Sequence, residues 1–194
     1  MNYLAHAVFS NYHPEILIGN LISDFIKGKK QFDYPEAIQN GIKLHRAIDH
    51  FTDNHPAMQQ AKQVFKPHYR LYAGAFTDVA MDYFVANDPQ FFAQETTLDQ
   101  FAQWVYSQLS SFENYIPDRA KGYFLRMQQQ NWLFHYRSLW GIEKSFGGLV
   151  YRSTYLNDSA TAAKIFTQNL PLLQAHYNIF VPELLEFLHQ QPMY

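Results

Sequence analysis

Cysteine is absent from the 194 residues of this chain. Its absence excludes disulfide bonds, a thiol nucleophile and a thiolate metal site. A strong charge is also missing: the formal net charge is −2, which argues against nucleic acid as the main partner, because phosphate backbones select basic surfaces. No apolar run approaches the ~18 residues of a membrane span, and the opening MNYLAHAVFSNYHPE has neither a basic region nor a small-residue cleavage site. These absences predict a soluble, cytoplasmic protein that binds neither membrane nor nucleic acid.

Large apolar and aromatic side chains are abundant. Hydrophobic residues make up 47% of the chain and aromatic residues 18%, with 17 Phe and 14 Tyr. This content supports a packed core rich in rings, and the length predicts one domain over residues 1–194. Helical punctuation dominates and no series of alternating strands is present. We therefore predict an all-α fold, a single-domain helical bundle.

Proline and capping signals set the predicted helix boundaries. Five helices are expected to begin at Pro14, Pro35, Pro56, Pro67 and Pro117, with the Pro35 helix ending near Asp53. Further predictions are a capping box at Thr97 and Gln100 that opens a helix to about Asn114, one helix from Trp132 to Leu149 closing at Gly147 and Gly148, and short helices divided by Pro171 and Pro182.

The Pro35 helix places a histidine and a carboxylate on its apolar side. Ile38, Ile42, His45, Asp49 and Thr52 are spaced 4, 3, 4 and 3 residues apart, which is one stripe of a helix. Burying a carboxylate without a partner costs several kcal/mol, roughly, even after relaxation. A partner for the acid is therefore expected nearby.

The Pro67 helix repeats this pattern with two acids. Asp78 and Asp82 lie four residues apart on a stripe with Leu71, Ala75 and Val85, so like charges would face each other. A divalent cation meets the need of such a pair, and imidazole and carboxylate suit Mn, Fe, Mg or Zn in different degrees.

Simpler interpretations apply to each of these residues. A His/Asp pair four residues apart is most often a local hydrogen bond. Asp24, in GNLISDF, can be a helix-end acid beside Lys27, and His6, in NYLAHAVF, can be a core histidine with satisfied hydrogen bonds.

Four sequence blocks together resemble a known family. MNYLAHAVFS, GNLISDFIKG, GIKLHRAIDHFTDNHP and FTDVAMDYFVAND are similar, in order and spacing, to the bacterial acyl carrier protein phosphodiesterases, also called acyl carrier protein hydrolases. HRAIDxxTD is the most specific element. The strong motifs cover about the first half of the chain, and NWLFHYRSLWGIEKSFGGLVYRS resembles a later segment of the family.

The resemblance implies an all-helical fold related to the HD-domain metal phosphohydrolases and a manganese-dependent reaction, with Mg²⁺ or Fe²⁺ as alternatives. The implied reaction hydrolyses the phosphodiester that joins 4'-phosphopantetheine to a serine of holo acyl carrier protein. By motif, the implied metal ligands are Asp24, His45, Asp49 and Asp78, with His6 and Asp82 as further ligands or as residues that orient ligands. The chain departs from the HD pattern, because Arg46 and not an aspartate follows His45.

The resemblance also indicates which residues act in catalysis and which bind the substrate. His45, Arg46 and Asp49 are expected to be catalytic, with Arg46 also binding a phosphate oxygen through its guanidinium group. The run Lys27, Lys29 and Lys30 is expected to bind the carrier protein, since carrier proteins are acidic. The simpler interpretation of these four basic residues is that they are solvated surface charges.

Two other functions remain open from the sequence. One is an HD-like phosphohydrolase that acts on a small nucleotide or phosphate ester. The other is a non-catalytic module that binds carrier protein or pantetheine. Activity on holo carrier protein separates the three.

Overall fold

The computed structural model of this chain describes residues 1–192 and 194, and that part forms eleven α-helices and no β-strand. The helices are α1 (Tyr3–Val8), α2 (Pro14–Ile22), α3 (Glu36–Asn54), α4 (Pro56–Tyr69), α5 (Ala73–Ala86), α6 (Glu95–Ser111), α7 (Asp118–Gln129), α8 (Trp132–His135), α9 (Leu139–Arg152), α10 (Ala160–Gln168) and α11 (Leu170–His189). Short 3₁₀ segments span Ser23–Phe25, Gly28–Asp33, Arg70–Tyr72 and Glu113–Tyr115. The all-α prediction is confirmed.

Helix α5 lies at the centre of the core. Most of its side chains are buried, and it packs against α1, α4, α9 and α11. Phe76 of α5 packs between Tyr69 and Phe146, with ring centroids 4.0 Å and 5.2 Å away. Burying each such ring contributes about 1.5–3 kcal/mol, so α5 is a fixed base for the elements around it.

Helices α2 and α3 touch through their backbones at two glycines. A Cβ atom on Gly19 would lie 2.0 Å from the carbonyl oxygen of Ile38, and a Cβ on Gly41 would lie 2.2 Å from that of Ile16. Only glycine permits this approach. The contact fixes the position of α3, which carries His45 and Asp49, against α2, which leads directly into the 3₁₀ turn that carries Asp24.

The predicted helix start at Pro67 is wrong. Pro67 lies inside α4, in its last turn, and the chain instead breaks at Arg70. Arg70 has a φ of 46°, a left-handed conformation that ends the helix without a glycine. Leu71 follows in a 3₁₀ turn and is exposed, so it does not belong to the stripe of Asp78.

The predicted helix from Trp132 to Leu149 is two helices. Ser138 begins α9 by accepting a hydrogen bond on its side chain from the amide of Gly141, at 3.0 Å. The two glycines at 147 and 148 do not end α9, which continues to Arg152.

Two smaller boundaries also differ from prediction. Gln94, not Thr97, occupies the N-cap of α6, and Thr97 lies at position N3, where it forms a capping box with Gln94. Pro182 does not divide the last region, because it lies inside α11 between the buried residues Val181 and Leu184. Packing on both sides of the proline outweighs the lost hydrogen bond. Across the described residues, α11 included, no helix has the length and apolar character needed to cross a membrane.

Candidate metal centre

Two histidine rings from separate helices lie face to face beside one carboxylate. His6 comes from α1, and His45 and Asp49 come one turn apart from α3. The two rings stack with centroids 4.1 Å apart and an interplanar angle of 17°. One ligand atom from each of the three residues lies within 4.8 Å of the other two. The close packing of α1, α2 and α3 therefore brings residues far apart in sequence to one point.

The ring nitrogens at this point lack well-aligned hydrogen bonds. Nε2 of His6 lies 3.2 Å from Oδ1 of Asp49, and Nε2 of His45 lies 3.0 Å from Oδ2. Both contacts fall outside hydrogen-bond geometry, so both buried nitrogens are left without a hydrogen-bond partner. Such groups are costly when nothing satisfies them. A cation held among the two nitrogens and the carboxylate would satisfy all three.

Asn20 fixes which nitrogen of His45 faces this point. Its Nδ2 donates to the carbonyl oxygen of His6 at 2.9 Å and to Oγ of Ser10 at 3.1 Å. Its Oδ1 must then accept, so Nδ1 of His45, 3.2 Å away, is the donor. Nε2 of a neutral His45 therefore directs its lone pair toward Asp49. A buried amide that orients an imidazole in this way is typical of the residues that surround metal ligands.

The three side chains have strongly shifted protonation. Burial, together with the neighbouring His45, lowers the pKa of His6 to about 4, so this ring is neutral near pH 7. Burial alone would lower the pKa of His45, but Asp24 and Asp49 outweigh it and raise that pKa to about 9. Burial would raise the pKa of Asp49, yet the two histidines hold it well below the usual range. The carboxylates thus demand a positive charge at Nε2 of His45, either a proton or a metal ion.

Two further acids border the centre. Asp24, whose side chain is 68% exposed, places Oδ1 3.3 Å from Nε2 of His45, and this contact lowers the pKa of Asp24. Asp78, on α5, lies 3.1 Å from the amino group of Met1. Burial raises the pKa of Asp78. These acids and the three central residues line one cavity of about 210 Å³, so water and a small ligand can reach the centre.

Asp82 is fully buried on α5 and points to the backbone of α1. Its carboxylate oxygens accept from the amides of Leu4 at 2.8 Å and Ala5 at 3.2 Å. Burial raises the pKa of Asp82 to about 7, against the effect of these backbone amides. The acid thus caps the helix that carries His6.

The predicted basic residues lie outside the cavity. Arg46 is exposed and donates to Oε1 of Gln31 at 2.6 Å and, at 3.4 Å, to the carbonyl oxygen of Ile26. It ties the segment Gly28–Asp33 to α3. Lys27, Lys29 and Lys30 are exposed on and beside that segment, and the structure does not bring them together with His45.

Sequence reasoning missed Asn20. Its signal was present, since Asn20 is a lone amide in the otherwise apolar run ILIGNLI, where a buried polar group needs partners. The pairing with His45 was not visible, because it depends on the glycine contact between α2 and α3.

The geometry defines a candidate divalent-metal centre in an all-helical protein: two imidazoles and a carboxylate, oriented by an amide and open to a cavity. The chain belongs to the acyl carrier protein phosphodiesterase family, whose profile it matches over residues 1–184.

Curated relatives span almost the whole chain. A protein of Enterobacter sp. named acyl carrier protein phosphodiesterase is 28% identical over 95% of this chain and 96% of its own length. Relatives with the same name from Photorhabdus laumondii and Pectobacterium atrosepticum are 27% identical over 100% of this chain and 98% of their own length, and 32% identical over 72% of each chain. No solved structure matches this chain, so the relation to HD-domain proteins stays a prediction.

Proposed function

We propose that this chain is a metal-dependent phosphodiesterase that cleaves 4'-phosphopantetheine from the serine of holo acyl carrier protein. The supporting observation is that a member of this family, matched over nearly its full length, has His6, His45 and Asp49 converging beside an open cavity. We also propose that residues 1–194 form one domain and that the protein acts in the cytoplasm.

The proposed cofactor is a divalent ion, Mn²⁺ first, with Mg²⁺ or Fe²⁺ as alternatives. His6, His45 and Asp49 would hold it, and Asp24 and Asp78 would complete its surroundings. A bound ion would acidify water and polarise a phosphoryl oxygen. The mixed imidazole and carboxylate donors fit such an ion.

Residues of the chain itself prepare the site for this reaction. Asn20 holds His45 in one tautomer, and the cap from Asp82 holds α1 and therefore His6. The side chain of Asp24 is 68% exposed, more than those of Asp49 (42%) and Asp78 (35%). It lines the cavity as a carboxylate, where it can accept a proton from water.

A basic groove next to the metal centre is the proposed docking site for the carrier protein. Its open volume is about 920 Å³, and Lys27, Lys30, Arg119 and Lys121 contribute positive charge to its lining. The groove also contains two acids, one of which, Asp118, pairs with Lys121 at 2.9 Å. The four basic residues outnumber the two acids, so the lining of the groove keeps a net positive charge.

This groove is joined to the metal centre through Phe25. The guanidinium of Arg119 lies 5.9 Å from the Phe25 ring, and Phe25 directly follows Asp24 in the chain. We propose that Arg46 serves substrate binding by holding the basic segment Gly28–Asp33 in place, with Lys29 at its exposed edge. An acidic protein docked here would present its modified serine to the centre.

The reaction is tested with holo carrier protein in oxygen-18 water. We expect release of 4'-phosphopantetheine that contains one labelled oxygen and formation of apo carrier protein with an unlabelled serine. The reason is that water attacks phosphorus and the P–O bond to serine breaks, so the serine keeps its own oxygen. Mass spectrometry of both products measures the label, and a metal chelator should stop the reaction.

Label on the serine would contradict attack at phosphorus. Unchanged holo carrier protein, in the presence of metal, would reject the proposal. Turnover of small phosphate esters would then favour the small-molecule phosphohydrolase, and binding without any turnover would favour the non-catalytic module.

Charge reversal in the basic groove should affect only the protein substrate. We expect Lys27→Glu with Lys30→Glu to lower kcat/KM for holo carrier protein about tenfold or more at low salt, because steering of an acidic partner is lost. Turnover of bis(p-nitrophenyl) phosphate should change less than about twofold, and added salt should narrow the difference. The matched control is Lys66→Glu with Lys164→Glu, two exposed lysines outside the groove. Equal losses in both double variants would exclude the groove as the docking site.

A further inference from the structure

A second cavity lies beside the metal centre, between α7, α8 and α9. Its volume is about 680 Å³, within the ~300–1,000 Å³ of ligand pockets. Its walls combine aromatic rings, such as Trp132 and Trp140, with the side-chain amides of Gln129 and Gln130. None of these rings and amides lines the metal cavity, so they are available to bind another part of the substrate.

The two cavities are neighbours. Asn2 lines both. Tyr3, in the wall of the metal cavity, meets Tyr123, in the wall of the second, with ring centroids 5.2 Å apart. The guanidinium of Arg152 covers the Tyr123 ring at 5.3 Å. The positively charged guanidinium of Arg152 therefore lies on the side of the second cavity that faces the metal centre.

The polar groups of the second cavity suit a ligand that contains amides. Asn2 donates to Oη of Tyr136 at 2.8 Å, which leaves the hydroxyl proton of Tyr136 free to be donated. Burial raises the pKa of Tyr136 well above its usual range, so this proton is retained. A buried hydroxyl donor and glutamine side chains among rings match an arm of alternating amide and aliphatic units better than they match a purely hydrocarbon chain.

We propose that this second cavity binds the pantetheine arm of the substrate, an inference that rests on the proposed function. In this arrangement the phosphorus lies at the metal centre, and the two substituents joined to it through ester oxygens extend in different directions. One leads to the serine of the carrier protein in the basic groove, and the other leads past Tyr123 and Arg152 into the second cavity. The phosphate stays at the metal centre, and the amides and dimethyl group of the arm lie beyond Arg152, among the rings. Binding energy from this remote part of the substrate would then support the chemical step.

Two adjacent glycines of α9 provide a matched test. Gly148 lines the second cavity and Gly147 does not. A Cβ on Gly148 would meet only Nη1 of Arg152, at 3.7 Å, and one on Gly147 only Oγ of Ser159, at 3.9 Å. Both positions therefore accept a Cβ atom at ordinary contact distances, and only position 148 lies in the cavity wall.

We expect Gly148→Phe to lower kcat/KM for holo carrier protein about tenfold or more, while Gly147→Phe stays within about twofold of the unmodified protein. Both should keep full turnover of bis(p-nitrophenyl) phosphate, which has no arm. Calorimetric titration with millimolar pantetheine, without phosphate or carrier protein, should show binding to the unmodified chain and to Gly147→Phe but not to Gly148→Phe. Trp140→Ala, at a ring that is 55% exposed, should also weaken pantetheine binding and serves if Gly148→Phe does not fold.

The outcomes separate this inference from the proposed function. Cleavage of holo carrier protein with equal rates in both glycine variants would overturn the arm site and leave the proposed function standing. Pantetheine binding that Gly148→Phe abolishes, in a chain that does not cleave holo carrier protein, would support the arm site and reject the proposed function. Absence of pantetheine binding to the unmodified chain would overturn the arm site.

Discussion

His45→Ala should lower the affinity for Mn²⁺ at least ~100-fold and remove most hydrolysis of any phosphodiester. The expected loss exceeds the 10–100-fold typical of residues that only orient ligands, because Nε2 of His45 is one of the three atoms that converge on the centre. Without this nitrogen a bound ion would keep only one imidazole and lose the geometry that positions its water. Calorimetric titration with Mn²⁺ and steady-state turnover of bis(p-nitrophenyl) phosphate measure the two effects.

His50→Ala is the matched control for this change. His50 lies on the same helix, five residues further on, but it is exposed and its ring lies within hydrogen-bond distance of Asn54, at 3.4 Å. Its substitution should change neither metal affinity nor turnover by more than about twofold. Full metal affinity in His45→Ala, with the fold intact by circular dichroism, would show that the stacked histidines are not a metal centre.

Gly41→Ala should destabilise the whole protein by about 3 kcal/mol or more. The added Cβ would lie 2.2 Å from the carbonyl oxygen of Ile16, so the backbones of α2 and α3 must separate, at a cost at or above the upper end of overpacking changes. For a chain of this length such a loss lowers the melting temperature by about 6 °C or more. Metal affinity should fall as well, since the separation pulls Asn20 away from His45.

Gly122→Ala provides the comparison for the same chemical change. Gly122 lies in α7, and a Cβ there would have no heavy atom within 4 Å, so the substitution should raise stability by about 0.5–1 kcal/mol through helix propensity alone. Thermal and denaturant unfolding of both variants measure the contrast. If Gly41→Ala melts like the unmodified protein, the two helices are not in backbone contact.

The sequence predicted helix α3 and its inward stripe well, since both depend on local periodicity. It failed where packing decided the outcome. Pro67 and Pro182 carry the usual signals of a helix boundary, yet both lie inside helices, because one lost hydrogen bond is a small term beside a buried helix face. The actual end of α4 depends on the positive φ of Arg70, a residue with no preference for that conformation.

The candidate site was predicted in its residue types and less well in its geometry. Spacing alone placed His45 and Asp49 on one face of α3. It also placed two acids on one stripe of the helix of Asp78, whereas the residue that converges with His45 and Asp49 is His6 on α1. That partner is set by contacts across 39 residues of sequence, which no local pattern records.

The cap from Asp82 has a consequence for biosynthesis. Helix α1 has six residues, too few to persist alone in water, and its first amides are held by a carboxylate 78 residues later in the chain. Chains leave the ribosome from the N-terminus at about 5–20 residues per second. His6 is therefore synthesised well before Asp82, and it takes up its position only after α5 has emerged. A nascent chain stalled before α5 would have both histidines and Asp49 and still lack the arrangement that brings them together.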